Sequence, residues 1–203
     1  MGRVTVAGGN PGMKVPVAGL PSGYTRLAYI QSSGTQFIDT GVRPTVNTRF
    51  SFGIYMLEET GACIIGHSPA DNNDYRIFNY SRTIYWDLKD GRLIGTSGSF
   101  PTNAYLEFEC GNNYVNKNGQ RVLTGTAVSS FSPVANIFVF SANGTPAGCS
   151  GRLYFLKIYE GDTLIRDFKP CISDAGAVGV FDLVNRKFYG NAGTGVFIGS
   201  EVA

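Results

Sequence analysis

The chain has 203 residues, enough for one domain with a short appendage, and a β-rich domain of that size needs no disulfide or metal to bury a core. Only 16% of the residues are charged, the net charge is +2 and no long run of one sign occurs, so nucleic acid is not an expected partner. No segment approaches the ~20 apolar residues of a membrane span. The opening MGRVTVAGGNPGMKVPVAG also lacks the continuous apolar stretch of a secretory signal.

Aromatic residues make up 13% of the chain and glycine contributes 27 residues, a combination that favours short strands joined by tight turns. Residues 1–20 stand apart: rich in Gly and Val, with two prolines, little charge and no aromatic side chain. Such a segment cannot bury enough surface to fold alone. It is read as an extended N-terminal arm that docks on a neighbouring subunit, with the globular domain at 21–203.

Strands are predicted at 24–31 and 35–40, around Ser32-Ser33-Gly34, and at 47–57, where Phe50, Phe52 and Ile54 share one face. Further strands are expected at 62–66, 75–80 and 83–88, with a polar loop at 68–74 and a turn at Asp90-Gly91. Residues 104–110 alternate Tyr105, Glu107 and Glu109 against Leu106, Phe108 and Cys110. A hairpin follows at Asn118-Gly119, then a strand at 136–141.

The stretch GRLYFLKIYEGDTLIRDFKP at 151–170 reads as two strands joined at Glu160-Gly161-Asp162. Strict alternation puts Tyr154, Leu156 and Ile158 on one face and Leu153, Phe155, Lys157 and Tyr159 on the other. Apolar residues on both faces suit the middle of a sheet. Strands at 178–184 and 187–189 flank Asn185-Arg186, and 195–198 closes the chain. No stretch holds helical periodicity over three turns, so the expected class is all-β: a two-sheet antiparallel jelly-roll sandwich.

Cys63, Cys110, Cys149 and Cys171 are scattered without CxxC pairing. They are read as buried free thiols that act as small hydrophobes, with a single disulfide as the alternative.

Two regions carry a family likeness. LPSGYTRLAYIQSSGTQFIDTGVRP at 20–44 resembles the opening of laminin-G-like, concanavalin A-like jelly-roll modules of gut bacteria and their phages. GRLYFLKIYEGDTLIRDFKPC at 151–171 and VGVFDLVNRKFYGNAGTG at 178–195 resemble the closing strands of the same modules. The resemblance implies two curved sheets, in a family whose members often bind carbohydrate and often sit on cell or virion surfaces.

Glycoside hydrolysis needs two carboxylates flanking the scissile bond. Glu107 and Glu109 share a strand face, but the Glu-x-Asp-x-x-Glu pattern of laminarinase-type enzymes of this fold is absent, and a solvated face is the preferred reading. The single histidine, His67, sits in no nucleophile motif and is expected to be a polar loop residue. Binding has the better case. Asp71, Asn72, Asn73, Asp74 and Arg76 offer hydrogen bonds to sugar hydroxyls, and Tyr80, Tyr85 and Trp86 offer faces for sugar C–H surfaces. The competing reading makes Tyr85 and Trp86 ordinary sandwich residues that alternate in and out. No cofactor is expected, although a calcium ion at Asp71 and Asp74 stays open, without EF-hand spacing.

The sequence thus points to a noncatalytic, surface-displayed module. In one version it is a bacteriophage virion decoration or fibre-type protein, held on capsid or tail subunits by residues 1–20 within an assembly. In the other it is a free-standing lectin-like module of a gut bacterium.

Overall fold

Sixteen strands and no helix occupy the described residues of the computed structural model, which are 19–59, 63–68, 73–89 and 91–202. The arm expected at 1–20 lies outside them except for Gly19 and Leu20, as do Asp71, Asn72 and Asp90. The first seven strands are β1 (Tyr24–Ser33), β2 (Ile38–Asp39), β3 (Thr48–Met56), β4 (Cys63–His67), β5 (Asp74–Tyr80), β6 (Thr83–Lys89) and β7 (Gly91–Ile94). There follow β8 (Tyr105–Gly111), β9 (Tyr114–Lys117), β10 (Gln120–Thr124), β11 (Phe138–Val139) and β12 (Ser150–Glu160). The last four are β13 (Thr163–Ser173), β14 (Val178–Asp182), β15 (Lys187–Tyr189) and β16 (Ile198–Glu201).

They form two antiparallel sheets that pack as a sandwich of the jelly-roll class. The ten-stranded sheet runs β10-β9-β8-β3-β12-β1-β13-β14-β15, with β16 added on β1, and the six-stranded sheet runs β2-β11-β4-β5-β6-β7. Period-two side-chain alternation builds the core between them. Phe50, Phe52 and Ile54 of β3 face Tyr75 and Ile77 of β5 and Ile84, Trp86 and Leu88 of β6, all buried. Trp86 is the hub, edge-on to Tyr75 at 5.0 Å and to Phe50 at 5.7 Å between ring centroids, the offset geometry that aromatic quadrupoles favour.

The hairpin β12–β13 sits in the middle of the large sheet, with β3 along one side of β12 and β1 and β13 along the other. Its facing differs from strict alternation. A bulge between Leu153 and Phe155 inserts one residue, so Leu153, Leu156 and Ile158 all point into the core. Tyr154 and Phe155 are left half-buried and packed about the outer side, where the Gly53 position lies against the Phe155 ring.

Other departures have local causes. Of 35–40 only Ile38–Asp39 is a strand, because the backbone of Thr35 and Phe37 bonds instead to the 191–194 loop: Thr194 N donates to Thr35 O and Phe37 N donates to Asn191 Oδ1. Of 136–141 only Phe138–Val139 is a regular strand, since Phe140, though its N–H still donates to Ile64 O, takes φ 62°. Gly91 does not merely turn the chain but opens β7, and the last strand begins at Ile198 rather than at 195. Asn118-Gly119 is a tight turn with both residues at positive φ (49° and 77°), which Asn and Gly tolerate.

Candidate functional site

The outer face of the six-stranded sheet divides in two. Over β11 it is closed: Phe138 meets Phe37 edge-on at 6.0 Å, and the 141–148 segment packs against it, since a Cβ at Gly144 would lie 3.1 Å from the Phe138 ring. Across β5, β6 and β7 the face carries two cross-strand rows. One row is Arg76–Asp87–Arg92 and the other is Phe78–Tyr85–Ile94.

The first row is an ion cluster. Arg92 grips the Asp87 carboxylate with two bonds, Nε to Oδ1 at 2.6 Å and Nη2 to Oδ2 at 2.9 Å. Arg76 Nε donates to Asp87 Oδ2 at 3.0 Å and also lies 3.5 Å from Asp74 Oδ1. The Asp87 side chain is only 3% exposed while that of Arg92 is 48% exposed, so the cluster hides its anion and offers a guanidinium. The hydrogen bond to Asp87 raises the Arg92 pKa and keeps the cation charged. Paired and bonded in this way, a buried carboxylate avoids the desolvation cost of an isolated charge and fixes the planes of both arginines.

The second row is a platform. Phe78 and Tyr85 stack at 4.9 Å with an interplanar angle of 20°, and Tyr80 meets Tyr85 edge-on at 6.1 Å. The Arg76 and Arg92 guanidiniums lie 4.8 and 5.4 Å from the Phe78 centroid, so cation–π contacts tie the two rows together. Tyr80 and Ile94 are each 57% exposed, which leaves apolar surface at one end of the platform. Gly66 lies beside this face in β4, opposite Arg76, where a Cβ would come 2.1 Å from Tyr75 O, so only glycine allows the two strands to approach.

Of the residues singled out from sequence, this face brings together Asp74, Arg76, Tyr80 and Tyr85. Asn73 borders it, its Oδ1 accepting a bond from Ser132 N at 3.5 Å, while Asp71 and Asn72 lie outside the described residues. Trp86 points the other way and is 1% exposed in the core, because neighbouring residues of one strand face opposite sides of a sheet. Tyr85 and Trp86 therefore cannot form one sugar platform, and the stacking role expected of Trp86 gives way to a packing role. Phe78, Asp87 and Arg92 were not singled out. Their signal was the β6–β7 hairpin register: once the strand continues past Gly91, Asp87 falls opposite Arg92.

His67 ends β4 opposite Tyr75 and is 1% exposed, so it is a buried strand residue rather than the expected loop residue. Glu107 and Glu109 lie on the far sheet. Glu107 accepts a bond from the Tyr105 hydroxyl at 2.7 Å. Glu109 accepts one from Tyr114 at 2.5 Å and sits 3.7 Å from Arg49. Burial and that bond push the Tyr114 pKa up to about 12. Among the described residues no group of His, Cys, Asp or Glu converges as a metal site. The four cysteines are free and buried, and desolvation raises all four thiols, Cys149 and Cys171 to about 12, which keeps them neutral. No described helix is long and apolar enough to cross a membrane.

No protein-family model matches the chain, and no curated protein matches it. Among solved structures, the fold is similar to a "putative carbohydrate binding protein" from Bacteroides ovatus, with a TM-score of 0.63 and 9% identity over 87% of this chain. The chain spans 61% of that protein's length. At that identity the likeness is one of fold: an all-β sandwich.

Proposed function

We propose that the chain is a noncatalytic carbohydrate-recognition module that works through the open face of β5, β6 and β7. The observation that carries the reading is the Tyr80/Tyr85 platform set beside a guanidinium whose orientation is fixed by the buried Asp87. Sugars present C–H surfaces that pack on aromatic faces and hydroxyls that accept from planar N–H donors, and this face has both within one strand spacing. Arg92 has further N–H groups beyond the two spent on Asp87. The Bacteroides structure supports the reading to the extent that a similar all-β sandwich is carried by the protein named a "putative carbohydrate binding protein".

The proposal includes membership of the laminin-G-like, concanavalin A-like modules, supported by the 20–44 and 151–195 segments on a two-sheet sandwich. It also includes display at a cell or virion surface. Docking of residues 1–20 on capsid or tail subunits of a phage particle rests on the arm's sparsely charged, Gly-rich sequence alone.

A glycan array with full-length protein, run with calcium and again with chelator, tests the central claim. Specific binding is expected, and the Tyr80→Ala/Tyr85→Ala double variant is expected to lose it at least tenfold with its melting transition retained. A blank array, or unchanged binding by the double variant, overturns this face as the site. Loss of binding in chelator adds a metal to the ligand set.

A further inference from the structure

A pocket of about 370 Å³ opens at the rim of the sandwich, where the segment after β7 meets the β9–β10 hairpin of the other sheet. One wall is Val122, 37% exposed, with the Ile84 backbone beneath it, and the other is polar, from Thr96, Ser97, Ser99 and Lys117. Local chemistry shapes the polar wall. Ser99 N donates to Thr96 O at 3.0 Å, closing a turn in which Gly98 takes the positive φ (77°) that a type II turn needs at its third residue. Gly95 is required beside it, because a Cβ there would lie 2.6 Å from Ser99 Oγ.

Lys117 reaches across from the ten-stranded sheet and donates from Nζ to Ser99 O at 2.8 Å. That partner is a carbonyl, and an ammonium has three N–H donors, so its charge is not neutralised by this bond. Lysine is the only charged residue among those lining the pocket. The pocket therefore combines one cation, several hydroxyls and an apolar wall. The volume is at the small end for ligand sites, suited to one ring rather than a chain.

The pocket adjoins the platform. Ile94, the exposed end of β7 opposite Tyr85, is followed directly by Gly95, whose N–H donates to Ile84 O at 2.8 Å on the pocket wall. From this we infer that the rim pocket holds one carboxylated sugar unit, its carboxylate toward Lys117 and the hydroxyls and its C–H face against Val122. The inference rests on the carbohydrate reading above and narrows it: the preferred glycan ends in, or branches to, an acidic residue.

The test uses full-length protein titrated by ligand-observed NMR with D-glucuronate, D-glucose, acetate and sulfate. Glucuronate is expected to bind at least tenfold tighter than glucose or acetate. Lys117→Met should abolish that preference and Lys117→Arg should keep most of it, with melting transitions unchanged. Ser97→Ala, on an exposed turn, is the second probe and should weaken glucuronate severalfold even where Lys117→Met does not fold. Equal binding of glucose and glucuronate, binding of neither, or acetate and sulfate matching glucuronate would each overturn the proposal. The two readings fail separately. An array that captures only neutral glycans through Tyr85 removes the acidic pocket and leaves the platform standing, whereas glucuronate binding that ignores Tyr80→Ala/Tyr85→Ala and follows Lys117 does the reverse.

Discussion

Both sheets of this sandwich lay arginine against aromatic rings on their outer faces, yet the two faces are built differently. On the ten-stranded sheet Tyr154 packs at 4.9 Å from Tyr105 and 5.6 Å from Tyr29, and Arg152 lies 4.7 Å from the Tyr29 centroid and 5.3 Å from that of Tyr55. Arg152 is steadied by a neutral partner, Gln31 Oε1, at 2.8 Å. These rings pack on one another and close over Gly53, where a Cβ would come within 2.7 Å of the Tyr105 hydroxyl, although Tyr105 keeps 45% of its surface exposed. On the six-stranded sheet the steadying partner is a buried carboxylate shared by two arginines, and the rings beside it run out to an exposed Tyr80. The difference is preorganisation. A charge-assisted clamp fixes donor geometry before a ligand arrives and so lowers the ordering cost of binding, whereas mutual ring packing mainly covers the strand beneath. Aromatic content alone does not distinguish a recognition face from a covered one.

The largest expected effect tests whether the two faces share one cooperative core. Cys63 lies in the small sheet, Cys110 in the large, and Cys149 and Cys171 complete a set of buried thiols whose folded pKa values are raised by desolvation. For a raised thiol the stabilisation is fully present below the unfolded value, about 8.5, and is lost as pH climbs toward the folded one. In that window the unfolded chain has released protons that the native chain keeps, so stability falls with pH. Each buried thiol contributes a slope of about 1.4 kcal/mol per pH unit above pH ~8.5. Denaturant melts between pH 7 and 10 should show the decline. Thiol labelling should expose Cys63 and Cys110 in one transition, and separate transitions would mean that the sheets unfold independently.

Next in size is the clamp itself. Asp87→Asn removes the charge that both arginines share, and its loss should cost about 1–3 kcal/mol of stability, since the arginines regain solvent only in part. The effect on function should exceed the effect on folding: glycan binding falls at least as far as in the Tyr80→Ala/Tyr85→Ala variant while the array specificity blurs. Were Asp87→Asn to bind as well as the parent protein, preorganisation by the carboxylate would not be what distinguishes the two faces.

The fold was legible in the sequence where alternation was uninterrupted. Phe50, Phe52 and Ile54 named the inner face of β3, and the Asn118-Gly119 and Glu160-Gly161-Asp162 turns named two hairpins. It was not legible where one residue breaks the period. The β12 bulge reverses the facing expected of Leu153, and no propensity marks it, since Leu153, Tyr154 and Phe155 all suit either side of a strand. The site was half legible for the same reason. Asp74, Arg76 and Tyr85 fall on the open face by simple alternation, and that same alternation sends Trp86 into the core. Asp87 and Arg92 become partners only through the hairpin register across Gly91, and Lys117 meets Ser99 only through the closing of two sheets, a contact between residues distant in the chain that no local pattern encodes.

The smallest expected effect sharpens the contrast from the other side. Tyr154→Ala removes a ring that touches Tyr29 and Tyr105 on a half-buried face, so the aromatic contribution lost is about 0.5–1.5 kcal/mol beyond the area it covers. Because the bulge already places Tyr154 off the core side, the strands on either side of β12 keep their register with β3 and β1. The melting transition should therefore shift by a few degrees, while the glycan array profile stays the same as that of the parent protein. Recognition would then separate between the two sheets: ring removal on the large sheet costs folding and not recognition, whereas ring removal at Tyr80 and Tyr85 costs recognition in addition to the Phe78–Tyr85 stack. A Tyr154→Ala protein that lost its glycans while remaining folded would move the binding face to the ten-stranded sheet, and Arg152 with its Tyr29 and Tyr55 contacts would become the donor to test.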